Sequence, residues 1–182
     1  MGIVGLAGVY PLAKRYTNYP QLVLAVAFNS GVIIGSLTLN PQIGLGIILP
    51  IYLSGISWTM VYDTIYAYQD IEDDLKIGIK STAVHWKDKN PLKIMENCIY
   101  INALCHLSIL FWDVSYVYSS ICMLGADYYL LKILKKLDLK NKKQCGEFFV
   151  KNNYYGMFIF GSLLVTNIIN FFHSLIFKKD ED

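Results

Sequence analysis

Four aspartates crowd one stretch of this chain: Asp63, Asp70, Asp73 and Asp74, within YDTIYAYQDIEDDLKIGIKSTA at residues 62–83. On a helix turning about 100° per residue, Asp63, Asp70 and Asp74 fall within a narrow arc. Asp70 and Asp74 stand one turn apart on one face, and Asp73 flanks it. Carboxylates so placed repel one another, and an acid at the centre of a bilayer costs about 2.5–3.5 kcal/mol. A hard divalent cation relieves both problems. Mg²⁺ takes one or two carboxylates and leaves its other positions to water or phosphate oxygens. A DxxxD face can therefore hold a metal-bridged diphosphate, with Lys76 and Lys80, just beyond, contacting the same anion. The competing reading is a solvated acidic helix end balanced by its lysines.

The elements that must position these acids are apolar. Of 182 residues, 54% are hydrophobic and only 16% charged, and the mean hydropathy is +0.39. A soluble domain carries about 25% charged residues. The composition points to an all-α integral membrane protein rather than a soluble one. Long apolar runs predict about five transmembrane helices, over residues 20–39, 43–67, 95–112, 114–134 and 155–177. Each is long enough to cross a hydrocarbon core of about 30 Å. Residues 1–9 read as the end of a sixth helix. The strict alternation of a membrane barrel is absent.

The connections alternate in charge. Lys14 and Arg15 lie before the first span, Lys76, Lys80, Lys87 and Lys89 after the second, and a lysine-rich stretch at residues 132–151 after the fourth. The two connections between carry at most one acid. All three basic segments are thus expected on one side, the cytoplasm or the mitochondrial matrix, with residues 178–182 opposite. The lysines of 132–151 read as topology determinants and lipid-headgroup contacts. The net charge of +2 says little, and no nucleic-acid partner is expected. Cys98, Cys105, Cys122 and Cys145 form no ligand spacing and read as small buried side chains. His106 and His173 read as buried histidines and His85 as interfacial. Gly31 and Gly35 form a GxxxG expected to pack helices within the chain.

The acidic string resembles the second aspartate-rich motif of the UbiA superfamily of intramembrane prenyltransferases. Its wording, YDTIYAxQDxEDDxKIGIKSTA, is most similar to the branch that prenylates 4-hydroxybenzoate in ubiquinone synthesis. A second block, YPLAKRYTNYPQLVLAVAFNSG at residues 10–31, resembles the family's basic loop and following helix. The resemblance implies a nine-helix bundle in which two such motifs face each other and hold Mg²⁺ against an allylic diphosphate. Asp70 and Asp74 match the metal positions, with Asp73 between them as a third catalytic acid. Tyr62 and Asp63 match the helix leading in, and Lys14 and Arg15 the basic loop beside the substrate. Nothing here matches the family's first motif, of NDxxDxxxD type. The chain therefore reads as one prenyltransferase domain over residues 1–182, the carboxyl-terminal two-thirds of the fold.

The implied reaction moves a polyprenyl group from polyprenyl diphosphate to the ring of 4-hydroxybenzoate. Tyr62, Tyr66 and Tyr68 are candidates for shielding an allylic cation, although interfacial anchoring also explains tyrosine. The expected setting is the bilayer of the mitochondrial inner membrane, with the acids facing the matrix; a bacterial plasma membrane is the alternative. Partners among other ubiquinone-biosynthesis proteins are a further expectation. Two competing functions stay open: another aromatic acceptor, or a catalytically incomplete membrane chain that binds prenyl diphosphate or scaffolds other enzymes.

Overall fold

The computed structural model describes residues 12–39 and 42–177, and every regular element among them is helical. A helical turn over residues 12–16 bends into α1 (Pro20–Leu39). There follow α2 (Leu45–Ala67), α3 (Ile71–Ile77), α4 (Thr82–Trp86), α5 (Pro91–Ser108), α6 (Val117–Leu134) and α7 (Lys142–Phe177). Two 3₁₀ turns, Ile109–Phe111 and Val114–Tyr116, join α5 to α6. Prolines open α1 and α5 at a position where a missing N–H costs nothing. Asn90, left-handed at φ 51°, caps α5 by accepting the Lys93 N–H.

α2 is the hub, packing against α1, α5 and α7, while α6 closes the bundle between α5 and α7. Met60, Val61 and Ile65 of α2 meet Met95 and Ile99 of α5, Leu130 and Leu134 of α6, and Phe148 and Tyr155 of α7 in one core. The opposite faces stay apolar: Phe28, Leu53, Ile121, Phe158 and Phe160 are exposed. That is the surface lipid demands, because backbone groups are satisfied within helices and side chains need only match hydrocarbon.

Among the described residues, four helices are long and apolar enough to cross a membrane, over Pro20–Thr38, Leu45–Ala67, Pro91–Phe111 and Lys142–His173. The fifth expected span is helical as α6 but lies outside that set, its hydropathy lowered by Asp127, Lys132 and three tyrosines. The last helix begins 13 residues earlier than the apolar run suggests, so Lys142, Lys143 and Lys151 sit on its first turns rather than in a loop. At 36 residues it is about 54 Å long, well beyond the hydrocarbon thickness. The GxxxG expectation finds no support among the described residues, since a side chain at Gly31 or Gly35 would touch none of them. His106 is buried as expected, but His173 stands on an exposed face of α7. The sixth-helix end at residues 1–9 and the tail at 178–182 lie outside the described residues.

Candidate functional site

The acidic stretch is not one helix. Gln69 and Asp70 donate their N–H groups to the Tyr66 and Ala67 carbonyls, so α2 tightens and stops. α3 then starts with Asp70 as its N-cap and Glu72, Asp73 and Asp74 in its first turn. Acids are favoured there because unpaired N–H groups and the helix dipole present positive charge. The Asp70–Asp74 pairing survives the break, since the Asp74 N–H donates to the Asp70 carbonyl at 2.9 Å. Gly78, at φ 70°, ends α3 in a conformation suited to glycine.

The chain then folds back onto its beginning. The Lys80 N–H donates to the Lys14 carbonyl at 3.0 Å. The Thr82 N–H donates to Oε1 of buried Gln21 at 2.9 Å. The Thr64 and Thr82 hydroxyls bond at 2.6 Å. These ties enclose a pocket of about 110 Å³ at the end of α2, lined by Lys14, Gln21, Asp63, Tyr66, Asp70, Asp74 and Ser81.

Three of the four predicted acids thus meet in one pocket with one predicted cation. Asp73 does not join them. Its carboxylate accepts from Lys76 Nζ at 2.8 Å, and the two side chains are 67% and 71% exposed. Arg15 and Lys80 are also exposed and do not line the pocket. Tyr66 lines it and stacks on Phe149 at 4.9 Å. Tyr62 lies one turn earlier, between Trp58 at 5.3 Å and Phe149 at 5.9 Å. Tyr68 is buried elsewhere, in the helical core.

Burial pushes the Asp74 carboxyl above its usual range; Lys14 opposes that shift, and the charges of Asp70 and Asp73 add to it. Asp73 is held below its usual range by the hydrogen bond from Lys76. One oxygen of Asp63, Oδ2, is buried without a hydrogen-bond partner among the described residues. An orphaned carboxylate oxygen beside two further carboxylates suits a hard cation. Among the described residues no group of three His, Cys, Asp or Glu side chains is placed to hold a metal ion. A pair of carboxylates is a donor set that a hard cation can share with water and phosphate oxygens.

Sequence reasoning missed Gln21 and Ser81. Gln21 follows the helix-opening Pro20, but only the tertiary fold aims it at Thr82. It also missed a second polar cluster. Asp127 on α6, 2% exposed, accepts at Oδ1 from Asn102 Nδ2 (3.0 Å) and the Tyr155 hydroxyl (2.8 Å), and at Oδ2 from His106 Nδ1 (2.8 Å). An acid within an apolar run was the available signal.

Apolar helices of membrane-spanning length, with a carboxylate-lined pocket that also takes in Lys14 at one end, define a membrane-embedded helical bundle. The chain belongs to the UbiA prenyltransferase family, whose pattern matches residues 1–163. It is 37% identical over 170 residues to the mitochondrial 4-hydroxybenzoate polyprenyltransferase of Drosophila melanogaster, covering 91% of this chain and 42% of that protein. The protein of the same name from Saccharomyces cerevisiae is 39% identical over 171 residues, 90% of this chain and 44% of its own. The human one is 32% identical over 168 residues, 92% and 45% respectively. The chain thus spans less than half the length of these relatives. No solved structure is significantly similar to it.

Proposed function

We propose that residues 1–182 form one domain that carries a polyprenyl-diphosphate and Mg²⁺ site and takes part in transfer of the polyprenyl group to the ring of 4-hydroxybenzoate, in ubiquinone biosynthesis. One observation carries this reading: Asp63, Asp70, Asp74 and Lys14 line a single pocket at the end of a membrane-spanning helix. Family membership and the names of the relatives support it.

Asp70 and Asp74 would hold the cation, with the Asp63 carboxylate lining the same pocket. When bound, Mg²⁺ supplies positive charge where the diphosphate leaves. Lys14, which acts electrostatically on Asp74, adds fixed positive charge on the same side. Gln21 and Ser81, held by the Thr82 and Val84 N–H bonds, fix the loop that closes the pocket. The Tyr66 ring lies beside the carboxylates, where an aromatic face favours a developing allylic cation. The allylic C–O bond breaks with its electron pair on diphosphate. The ring carbon ortho to the phenol then forms the new C–C bond and loses its proton. The site is assigned to the mitochondrial inner membrane with the acids on the matrix side. The basic segments flanking the pocket support this orientation.

The test is Mg²⁺-dependent binding of a radiolabelled allylic diphosphate to membranes carrying the chain, followed by transfer to 4-hydroxybenzoate. Asp70→Asn and Asp74→Asn are each expected to lower binding at least tenfold. Undiminished binding in either variant refutes the metal assignment, and wild-type binding without transfer selects the binding-only function.

A further inference from the structure

Three parts of the chain converge on a cavity of about 530 Å³ at one end of the bundle. The start of α3 supplies Ile71 and Glu72, the α4–α5 turn supplies Lys87 and Asn90, and the α6–α7 loop supplies residues 137–140. The membrane-spanning segments Leu45–Ala67, Pro91–Phe111 and Lys142–His173 each begin or end beside it. The cavity therefore sits at the level where polar headgroups meet hydrocarbon. It shares no lining residue with the acidic pocket.

Its surface divides into a charged rim and an apolar floor. Lys87, Lys140 and Lys142 are exposed on the rim, together with two acids, Glu72 and Asp138. Both acids are engaged: Glu72 pairs with Lys142 at 3.4 Å, and Asp138 accepts the Lys140 backbone N–H at 3.0 Å. Lys87 and Lys140 have no ion-pair partner among the described residues. Lys87 comes from a different connection than Lys140, so the tertiary fold, not a local charge run, gathers them. α5 and α7 both start at the cavity, and their positive dipole ends add to the field of the lysines. The floor is made by Ile71, Leu92, Leu137 and Leu139.

The matching occupant is an amphiphile. Three lysines against two acids leave one positive charge in excess, and a phosphodiester carries one negative charge. A free phosphate would leave the apolar floor bare. A choline lipid would bring a cation of its own to the lysines. We propose that the cavity binds one anionic phospholipid from the leaflet on this side. Its phosphodiester lies between Lys87 and Lys140, and its glycerol and upper acyl chain lie on Ile71, Leu92 and Leu139.

The test is native mass spectrometry of the purified chain released from detergent micelles, with dioleoylphosphatidylglycerol or dioleoylphosphatidylcholine as the probe. One phosphatidylglycerol is expected to stay bound, about tenfold more tightly than phosphatidylcholine. A lysine near an anionic headgroup contributes about fivefold, so Lys87→Gln with Lys140→Gln is expected to lower that preference by about fivefold or more. Lys136→Gln with Lys143→Gln removes the same charge from the same end of the bundle but outside this cavity, and is expected to leave the preference within about twofold. Equal retention of the two lipids overturns the proposal. So does an equal loss in the two double variants, the result for a diffuse surface potential. Displacement of the lipid by equimolar inorganic phosphate or glycerol 3-phosphate overturns the assignment to a lipid. No metal, polyprenyl diphosphate or turnover enters the measurement, so its outcome is independent of the transferase assignment.

Discussion

Replacing Asp127 by leucine is the sharpest probe of what holds the bundle together. The carboxylate satisfies three donors from two other helices: Asn102 Nδ2, the Tyr155 hydroxyl and His106 Nδ1, at 3.0, 2.8 and 2.8 Å. Leucine of similar volume keeps the packing and strands the Tyr155 hydroxyl and His106 Nδ1, while Asn102 Nδ2 keeps its 2.6 Å bond to the Tyr155 oxygen. Interhelical hydrogen bonds within membranes contribute about 0.6 kcal/mol each on average, which sets a lower bound of roughly 2 kcal/mol. A buried donor left unpaired costs about 1–3 kcal/mol, so two of them set an upper bound of about 6 kcal/mol. Asp127→Asn retains an acceptor and lets the imidazole change tautomer, so about 1 kcal/mol is expected. The assay is reversible unfolding of the purified chain in mixed micelles, followed by the fluorescence of half-buried Trp58 and buried Trp86. Adding His106→Leu to Asp127→Leu removes one of the two stranded donors and is expected to restore up to half of the loss. If Asp127→Leu alone unfolds at the wild-type midpoint, the cluster contributes no stability and this reasoning fails.

Other consequences are equally direct. Cation affinity of the acidic pocket should rise with pH. Because burial raises the Asp74 pKa, the carboxyl binds a proton across a window lying above the ordinary carboxylate value. The cation must displace that proton, so Mn²⁺ binding followed by electron paramagnetic resonance should strengthen through the window and then level off; a flat profile excludes Asp74 as a ligand. Asp73→Asn, which removes an exposed pair with Lys76, should weaken Mn²⁺ by no more than about fivefold, because solvent screens surface charges. Gln21→Leu leaves the buried Thr82 N–H without its acceptor, so about 1–3 kcal/mol of local stability should be lost and amide exchange at residues 80–83 should quicken. Gly156→Ala places a methyl group 2.9 Å from the Trp58 ring, whose displacement would break its 2.6 Å bond to Asn152; an unchanged tryptophan emission maximum would contradict this.

How far the sequence carries can be judged at particular residues. The runs that form α1, α2 and α5 are legible because lipid rewards unbroken hydrophobicity, and the arc joining Asp63, Asp70 and Asp74 holds in the pocket. The stop between α2 and α3 was legible too, since an aspartate followed by three first-turn acids is a helix-start signature, but a single continuous helix was assumed. The true start of α7 was hidden because lysines and asparagines at residues 142–153 mask a helix stabilised by packing of Phe148 and Tyr155. The His106–Asp127 bond was not legible at all. The two residues lie 21 positions apart on different helices, and periodicity describes one helix at a time. Asp73 shows the reverse limit: adjacency in sequence placed it with the metal acids, and one step of helical rotation turned it toward Lys76.

The length of α7 has a mechanical consequence. Its base holds Phe149 against both Tyr62 and Tyr66, and Lys142 reaches Glu72 at 3.4 Å, while its far end lies in the bilayer. A continuous rod of this kind acts as a lever. Any lean of this helix in a thinner membrane would carry the Phe149 ring with it, and Phe149 packs on Tyr66, a wall of the acidic pocket.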